Sequence, residues 1–125
     1  MTCRKVNYED VEQVSSAMHF LSDPLETEQV GVTVARCDPD WKSKPHDHTD
    51  NDHEEVYVLI EGAATVVVDD DPIDMEAGDA LWISPESTRQ IRNGDRESAF
   101  VLVSAPSIAD EEAGDDEWLL SGFAG

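Results

Sequence analysis

Positive charge is what this sequence has least of. Lys and Arg number 8 against 29 Asp and Glu, a formal net charge of −21. Such a field repels phosphate backbones and anionic headgroups, which all but excludes nucleic acid and membrane surfaces as partners. No apolar run approaches the ~20 residues needed to span a bilayer. Charged residues occupy Met1 to Glu12, where a signal peptide would carry its apolar stretch. Cysteine is scarce as well: Cys3 and Cys37 are too few and too far apart for a disulfide scaffold, and no CxxC is present. The expectation is a cytoplasmic chain with free thiols. Neither a Ser-His-Asp set nor a phosphate-cradling glycine loop can be assembled.

What is present supports a folded domain. The chain has 125 residues, 39% of them hydrophobic, and those residues are spread along it. That length allows one domain, which buries roughly 65% of its unfolded surface. Only three residues are lysine (Lys5, Lys42 and Lys44), while acids fill most turns and the C-terminal tail. Acid excess with few lysines suits a protein dissolved in concentrated salt, where repulsion is screened and hydrated carboxylates resist salting out.

The periodicities read as strands. Gln29 to Arg36, Glu55 to Glu61, Ala63 to Val68, Ile73 to Met75, Ala80 to Ile83, Thr88 to Arg92 and Ser98 to Ser104 are rich in β-branched and apolar residues. Turns fall at Asp69–Pro72, Ala77–Asp79 and Ser84–Glu86, and Gly62 alone separates two strands, predicting a tight hairpin. Val6 to Phe20 carries weak helical spacing or forms an irregular arm, and Pro24 ends it. Many short strands with turns between them predict an all-β sandwich or barrel. The expected organisation is an N-terminal arm or helix over residues 1–27, a barrel over 28–105 and an acidic tail over 106–125. Trp118, Leu119, Leu120 and Phe123 of that tail are expected to dock on the barrel or on a second subunit. Tyr57, Leu59, Val66, Leu81, Ile83 and Val101 are expected to fill the barrel, Trp41 and Trp82 to pack, and Arg92 and Arg96 to pair with acids.

Chemistry concentrates in one place. His46, His48 and His53 fall within eight residues, followed closely by Glu55. Residues two apart on an extended segment point the same way, so His46 and His48 face together, and a loop lets Glu55 meet them. Two imidazoles and one carboxylate form a facial set with open positions, suited to iron(II) and compatible with manganese, nickel or zinc. His53-Glu54-Glu55-Val56-Tyr57 is not a zincin motif, because Tyr57 stands where the second histidine belongs. Asp50, Asp52, Glu54 and Glu61 lack the turn glycine of a calcium loop.

His46-x-His48 with Glu55 followed by six residues and Gly62, and Gly78-Asp79-Ala80-Leu81-Trp82-Ile83-Ser84-Pro85 through Arg89 and Asn93, resemble the two motifs of the cupins. The resemblance covers about residues 40 to 95. It implies a small single-domain cupin jelly roll of a salt-adapted, haloarchaeal-like kind. There are departures. Six residues separate His48 from Glu55, Glu86 replaces a glycine, and Arg89 stands where the family's fourth ligand, a histidine, is expected. Arginine has no lone pair to offer a cation. Three outcomes follow: a three-ligand site with Arg89 anchoring a substrate carboxylate, His53 supplying the fourth ligand, or Arg89 pairing with Glu55 in a metal-free site. The functional expectation is a divalent-metal cupin, dioxygenase- or isomerase-like if catalytic, acting on a small anionic molecule. The alternative is a metal-free binding or sensing module. A homodimer is expected, because Val30, Val32 and Val34 give an outward strand face unusually apolar for so acidic a chain.

Overall fold

The structure, a computed structural model, describes residues 2–106, so the expected docking of Trp118, Leu119, Leu120 and Phe123 lies outside the described residues. It contains β1 (Gln13–Val14), β2 (Met18–Phe20), a short helix α1 (Ser22–Leu25), β3 (Gly31–Cys37), β4 (His53–Glu61), β5 (Ala63–Val68), β6 (Asp71–Glu76), β7 (Ala80–Ile83), β8 (Arg89–Asn93) and β9 (Ser98–Pro106). Two antiparallel sheets form, one in the order β1-β2-β3-β9-β4-β7 and one in the order β6-β5-β8. Their inner faces share one core, with Tyr57, Leu59 and Phe100 from the first sheet against Val66, Met75 and Ile91 from the second. Alternation along β4 puts every second residue inside. This is the all-β double-sheet barrel that the strand pattern implies.

Three expectations need correction. The helical spacing of Val6 to Phe20 is not realised. Beyond a 3₁₀ turn at Tyr8–Asp10, Ser15 and Ser16 take left-handed φ values of 55° and 63°, and the chain doubles back so that β2 pairs with β3. Gly62 does not close a hairpin either: β4 and β5 belong to different sheets. At Gly62 (φ 80°) the chain passes so close to β9 that a Cβ would meet the Glu97 carbonyl oxygen at 2.5 Å. Only glycine serves at such a corner. Val101 and Trp82 face outward rather than into the barrel. Register aligns Val32, Val103, Val56 and Trp82 in one row across four strands, with Val34, Val101, Val58 and Ala80 in the next. Trp82 is 59% exposed.

The aspartate turn is shorter than the expected Asp69–Pro72: Asp71 and Pro72 already pair in β6, and only Asp69 and Asp70, at φ 49° and 71°, lie between paired Val68 and Asp71, as a two-residue hairpin of left-handed residues requires. The Asp69 carboxylate also accepts from the Thr88 N–H at 2.9 Å, which holds its pKa below the ordinary value. Asn93 ties the strand ends together. Its Nδ2 donates to the carbonyls of Cys37, Asp38 and Arg96, and its Oδ1 accepts from Ser98 Oγ at 2.8 Å. Trp41 packs against the core and donates to the Ser15 carbonyl. Arg92 donates to Gln90 Oε1 rather than to an acid, and among the described residues no carboxylate lies within ion-pair distance of Arg92 or Arg96.

Candidate metal centre

Backbone pairing brings the site residues together before any side chain does. His46 N–H donates to the Arg89 carbonyl at 3.0 Å, and Arg89 N–H donates back to His46 at 2.8 Å. The segment bearing His46 is thereby a short edge alongside β8. His48 N–H donates to the Pro85 carbonyl at 2.8 Å, tying the second histidine to the turn before β8. The residues between His48 and Glu55 are taken up in a turn. There Asp47 Oδ1 accepts from Thr49 N–H and Oγ1, which lowers the Asp47 pKa, and Asp52 adopts φ 57°. Glu55 then enters on β4, paired with Ile83 and Ser104.

The result is three donors, one each from His46, His48 and Glu55, all within 4.8 Å of one another. Glu55 Oε1 is the focus: His48 Nε2 lies 3.2 Å away, His46 Nε2 4.0 Å and Arg89 Nε 3.2 Å. Donors about 2.1 Å from a shared ion stand some 3–3.5 Å apart, so the cluster needs only a small side-chain adjustment to close on one. His48 Nε2 is buried and has no hydrogen-bond partner. A buried orphan nitrogen is costly, and a cation at the focus of the three donors would satisfy it. The residues present fit a divalent ion.

His53 is not among these donors; its ring stacks beside His48, with centroids 6.3 Å apart. Arg89 is buried under the cluster. Its Nη1 and Nη2 donate to the carbonyls of Ser87 (2.8 Å) and Ser84 (3.2 Å), while Nε faces Glu55. No part of it lines the cavity of about 490 Å³ that opens on the histidines.

Tyr57 was expected only to fill the barrel, yet it lines the cavity and its hydroxyl donates to Glu55 Oε1 at 3.4 Å. Burial, aided by the Glu55 charge, pushes its pKa up, so the hydroxyl keeps its proton. The period-two rule applied from Glu55 could have found it. Met18, Phe20, Ser22 and Asp23 reach the cavity from the N-terminal segment, and nothing in their own spacing signals that.

A two-sheet barrel with two histidines and a carboxylate converging at a cavity mouth defines a class of small β-barrels with metal-binding capacity. Residues 33–105 match the cupin domain, and the chain belongs to the cupin family. Solved structures agree in fold. A cupin protein from Bacteroides fragilis is similar with a TM-score of 0.74 and 23% identity, over 87% of this chain and 88% of that one. A sugar phosphate isomerase of the cupin superfamily from Silicibacter pomeroyi gives 0.68 and 23%, over 83% and 76%. A predicted oxalate decarboxylase from Thermotoga maritima gives 0.69 and 16%, over 83% and 100%. No curated protein matches the sequence.

Proposed function

We propose that this cupin holds one divalent first-row ion, iron, manganese, nickel or zinc, on His46, His48 and Glu55, and uses it to bind or transform a small anionic molecule. The buried, unpartnered His48 Nε2 facing the Glu55 carboxylate carries this reading. A bound ion supplies Lewis-acid or oxygen-activating chemistry. The protein's own residues prepare the ground for it. Arg89 and Tyr57 hold Glu55 Oε1 toward the histidines. Arg89 is therefore a positioning residue for the carboxylate. Metal analysis of untagged protein should find one such ion per chain. Protein that takes up none after incubation with each of the four removes the reading.

One observation favours a second reading. Arg89 Nε already lies 3.2 Å from Glu55 Oε1, so the guanidinium can stand in for the missing cation. The chain would then be a metal-free module that binds or senses a small ligand.

We further propose a salt-adapted cytoplasmic homodimer. The rows Val32–Val103–Val56–Trp82 and Val34–Val101–Val58–Ala80 carry no charge in a chain with 30% charged residues. Exclusion of charge is the mark of an interface core, and a second copy is the proposed occupant. Light scattering in molar salt, with and without residues 107–125, tests this; a monomer at tens of micromolar removes it. Among the described residues no helix is long and apolar enough to cross a membrane.

A further inference from the structure

Half of the chain's scarce bases gather along one edge of the smaller sheet. Lys42, Lys44, Arg92 and Arg96 are four of only eight in the sequence. Lys42 pairs with Arg92 on a strip that flanks β8, and the Ser43 N–H of that strip donates to the Ile91 carbonyl at 3.0 Å. Lys44 follows two residues on. Arg96 sits in the turn after β8, where its carbonyl accepts from Asn93 Nδ2 at 2.8 Å. Among the described residues no carboxylate lies within ion-pair distance of any of the four, in a sequence with 29 acids. Lysines and a proline on an outer strip discourage pairing with a foreign sheet edge, which accounts for Lys42, Lys44 and Pro45. It does not account for Arg92 and Arg96. Both line a cavity of about 550 Å³ beside Gly62 and Glu97, at the end of the barrel away from the histidines.

We propose that this edge and cavity are the seat of the chain's own C-terminal segment. The acids of Asp110–Glu117 lie along the basic strip, and Trp118 fills the cavity. Reach, charge and the cavity lining each support that occupant.

β9 runs from Ser98, at the cavity end, to Pro106, which pairs with His53 beside the histidine cluster. Those eight steps cover about 27 Å. The twelve steps from Pro106 to Trp118 cover at most about 40 Å. The chain can therefore turn back at Pro106 and bring Trp118 to the far end of the barrel, with slack for a path along the strip. The tether sets an effective concentration on the order of millimolar.

Residues 107–125 hold six acids between Asp110 and Glu117 and no lysine or arginine, so the segment has no basic partner of its own. A free polyanion would approach a −21 chain against its whole field. Tethered acids are already inside that field and lower their energy by moving to the basic edge. The cavity then separates the acids from the indole. Asp95 and Glu97 line it beside the two arginines, so a further carboxylate gains little there. Ala64 and Met75 add apolar wall. A flat neutral ring with one N–H suits this mixture, because its face attracts a guanidinium and its Nε1–H can donate to a carboxylate. Trp118 follows directly on the last acid.

The test uses the full chain labelled with 5-fluorotryptophan. Its three tryptophans give three fluorine resonances, and Trp118 is assigned by its loss in Trp118→Phe. At about 0.1 M salt, where the screening length is about 10 Å, the Trp118 resonance should be shifted and broadened relative to a free peptide of residues 107–125. Arg92→Gln with Arg96→Gln should return it to the peptide position. Trp41 and Trp82 should stay in place, reporting that the variant is folded. Lys42→Gln with Lys44→Gln, outside the cavity, should weaken the seating equilibrium about threefold, the scale of two exposed ion pairs; an unchanged equilibrium overturns the placement of the acids. A wild-type Trp118 resonance at the peptide position overturns the proposal. So does a shift that survives the arginine substitutions, which would put the ring elsewhere on the barrel, and a shift lost on dilution, which would put it on a second copy.

Discussion

Glu55→Gln removes one charge and almost no volume, which isolates the worth of the buried pair. In the metal-free protein the Arg89 side chain is 0% exposed and Glu55 is the one carboxylate within 4.0 Å of it among the described residues. Removing one partner of a buried ion pair typically costs about 3–5 kcal/mol, because the survivor is left uncompensated. The low end, about 3 kcal/mol, applies here. The Gln amide oxygen still presents a partial negative charge to Nε, and Nη1 and Nη2 keep the Ser87 and Ser84 carbonyls. For a chain of this size 1 kcal/mol moves the melting temperature by roughly 4 °C, so a fall of about 12 °C is expected. The assay is thermal unfolding by circular dichroism with a chelator present, since bound metal at 100 times its Kd would add about 2.7 kcal/mol to the wild type alone. Combining Glu55→Gln with Arg89→Met should recover part of the loss, giving a coupling energy of about 2 kcal/mol. A metal-free Glu55→Gln protein melting within about 2 °C of wild type would refute the claim that Glu55 neutralises Arg89.

Three further outcomes are expected. His48→Ala should abolish stoichiometric metal binding while His53→Ala leaves it intact, since His53 lies outside the donor cluster; metal loss in His53→Ala equal to that in His46→Ala would make His53 a ligand. Burial raises the Cys37 thiol from 9.0 to about 11, so the folded state favours the protonated form. Its stabilising contribution is whole below pH 9 and is lost as pH rises toward 11, so the stability gap between wild type and Cys37→Ala should narrow over that window, and exposed Cys3 should react with a thiol reagent well before buried Cys37. Melting temperature should rise steeply from millimolar to molar salt, where the screening length falls from about 30 Å at 0.01 M to about 3 Å at 1 M; a flat profile would remove the salt-adaptation proposal.

The convergence of His46, His48 and Glu55 was legible because its geometry is local. His46 and His48 are two apart on an extended segment, Glu55 opens the next strand, and backbone periodicity does the rest. Arg89 was legible as a substitution in a motif but not as a buried ion, because its depth depends on the carbonyls of Ser84 and Ser87 turning inward to meet it. The corner at Gly62 was misread for a similar reason. A strand, a glycine and a strand look alike whether the chain folds back or crosses to the other sheet, and the deciding contact is the Glu97 carbonyl, remote in sequence. Likewise Ser15 and Ser16 turn a weakly helical pattern into a hairpin, because pairing of β2 with β3 outweighs a marginal local propensity.

The three donors do not belong to equally durable parts of the molecule. Glu55 sits on β4, hydrogen-bonded on both sides by β7 and β9. The His46 and His48 stretch is pinned by two backbone bonds between His46 and Arg89 and one from His48 to Pro85, and is otherwise loop. Stretches with so few bonds open locally at far lower free energy than the whole fold. An ion that bridges the two parts is thus a clasp between a fast-opening strip and a slow one. Its escape would follow the local opening of that strip, and amide exchange at His46 and His48 would slow on loading while exchange within β4 barely changed.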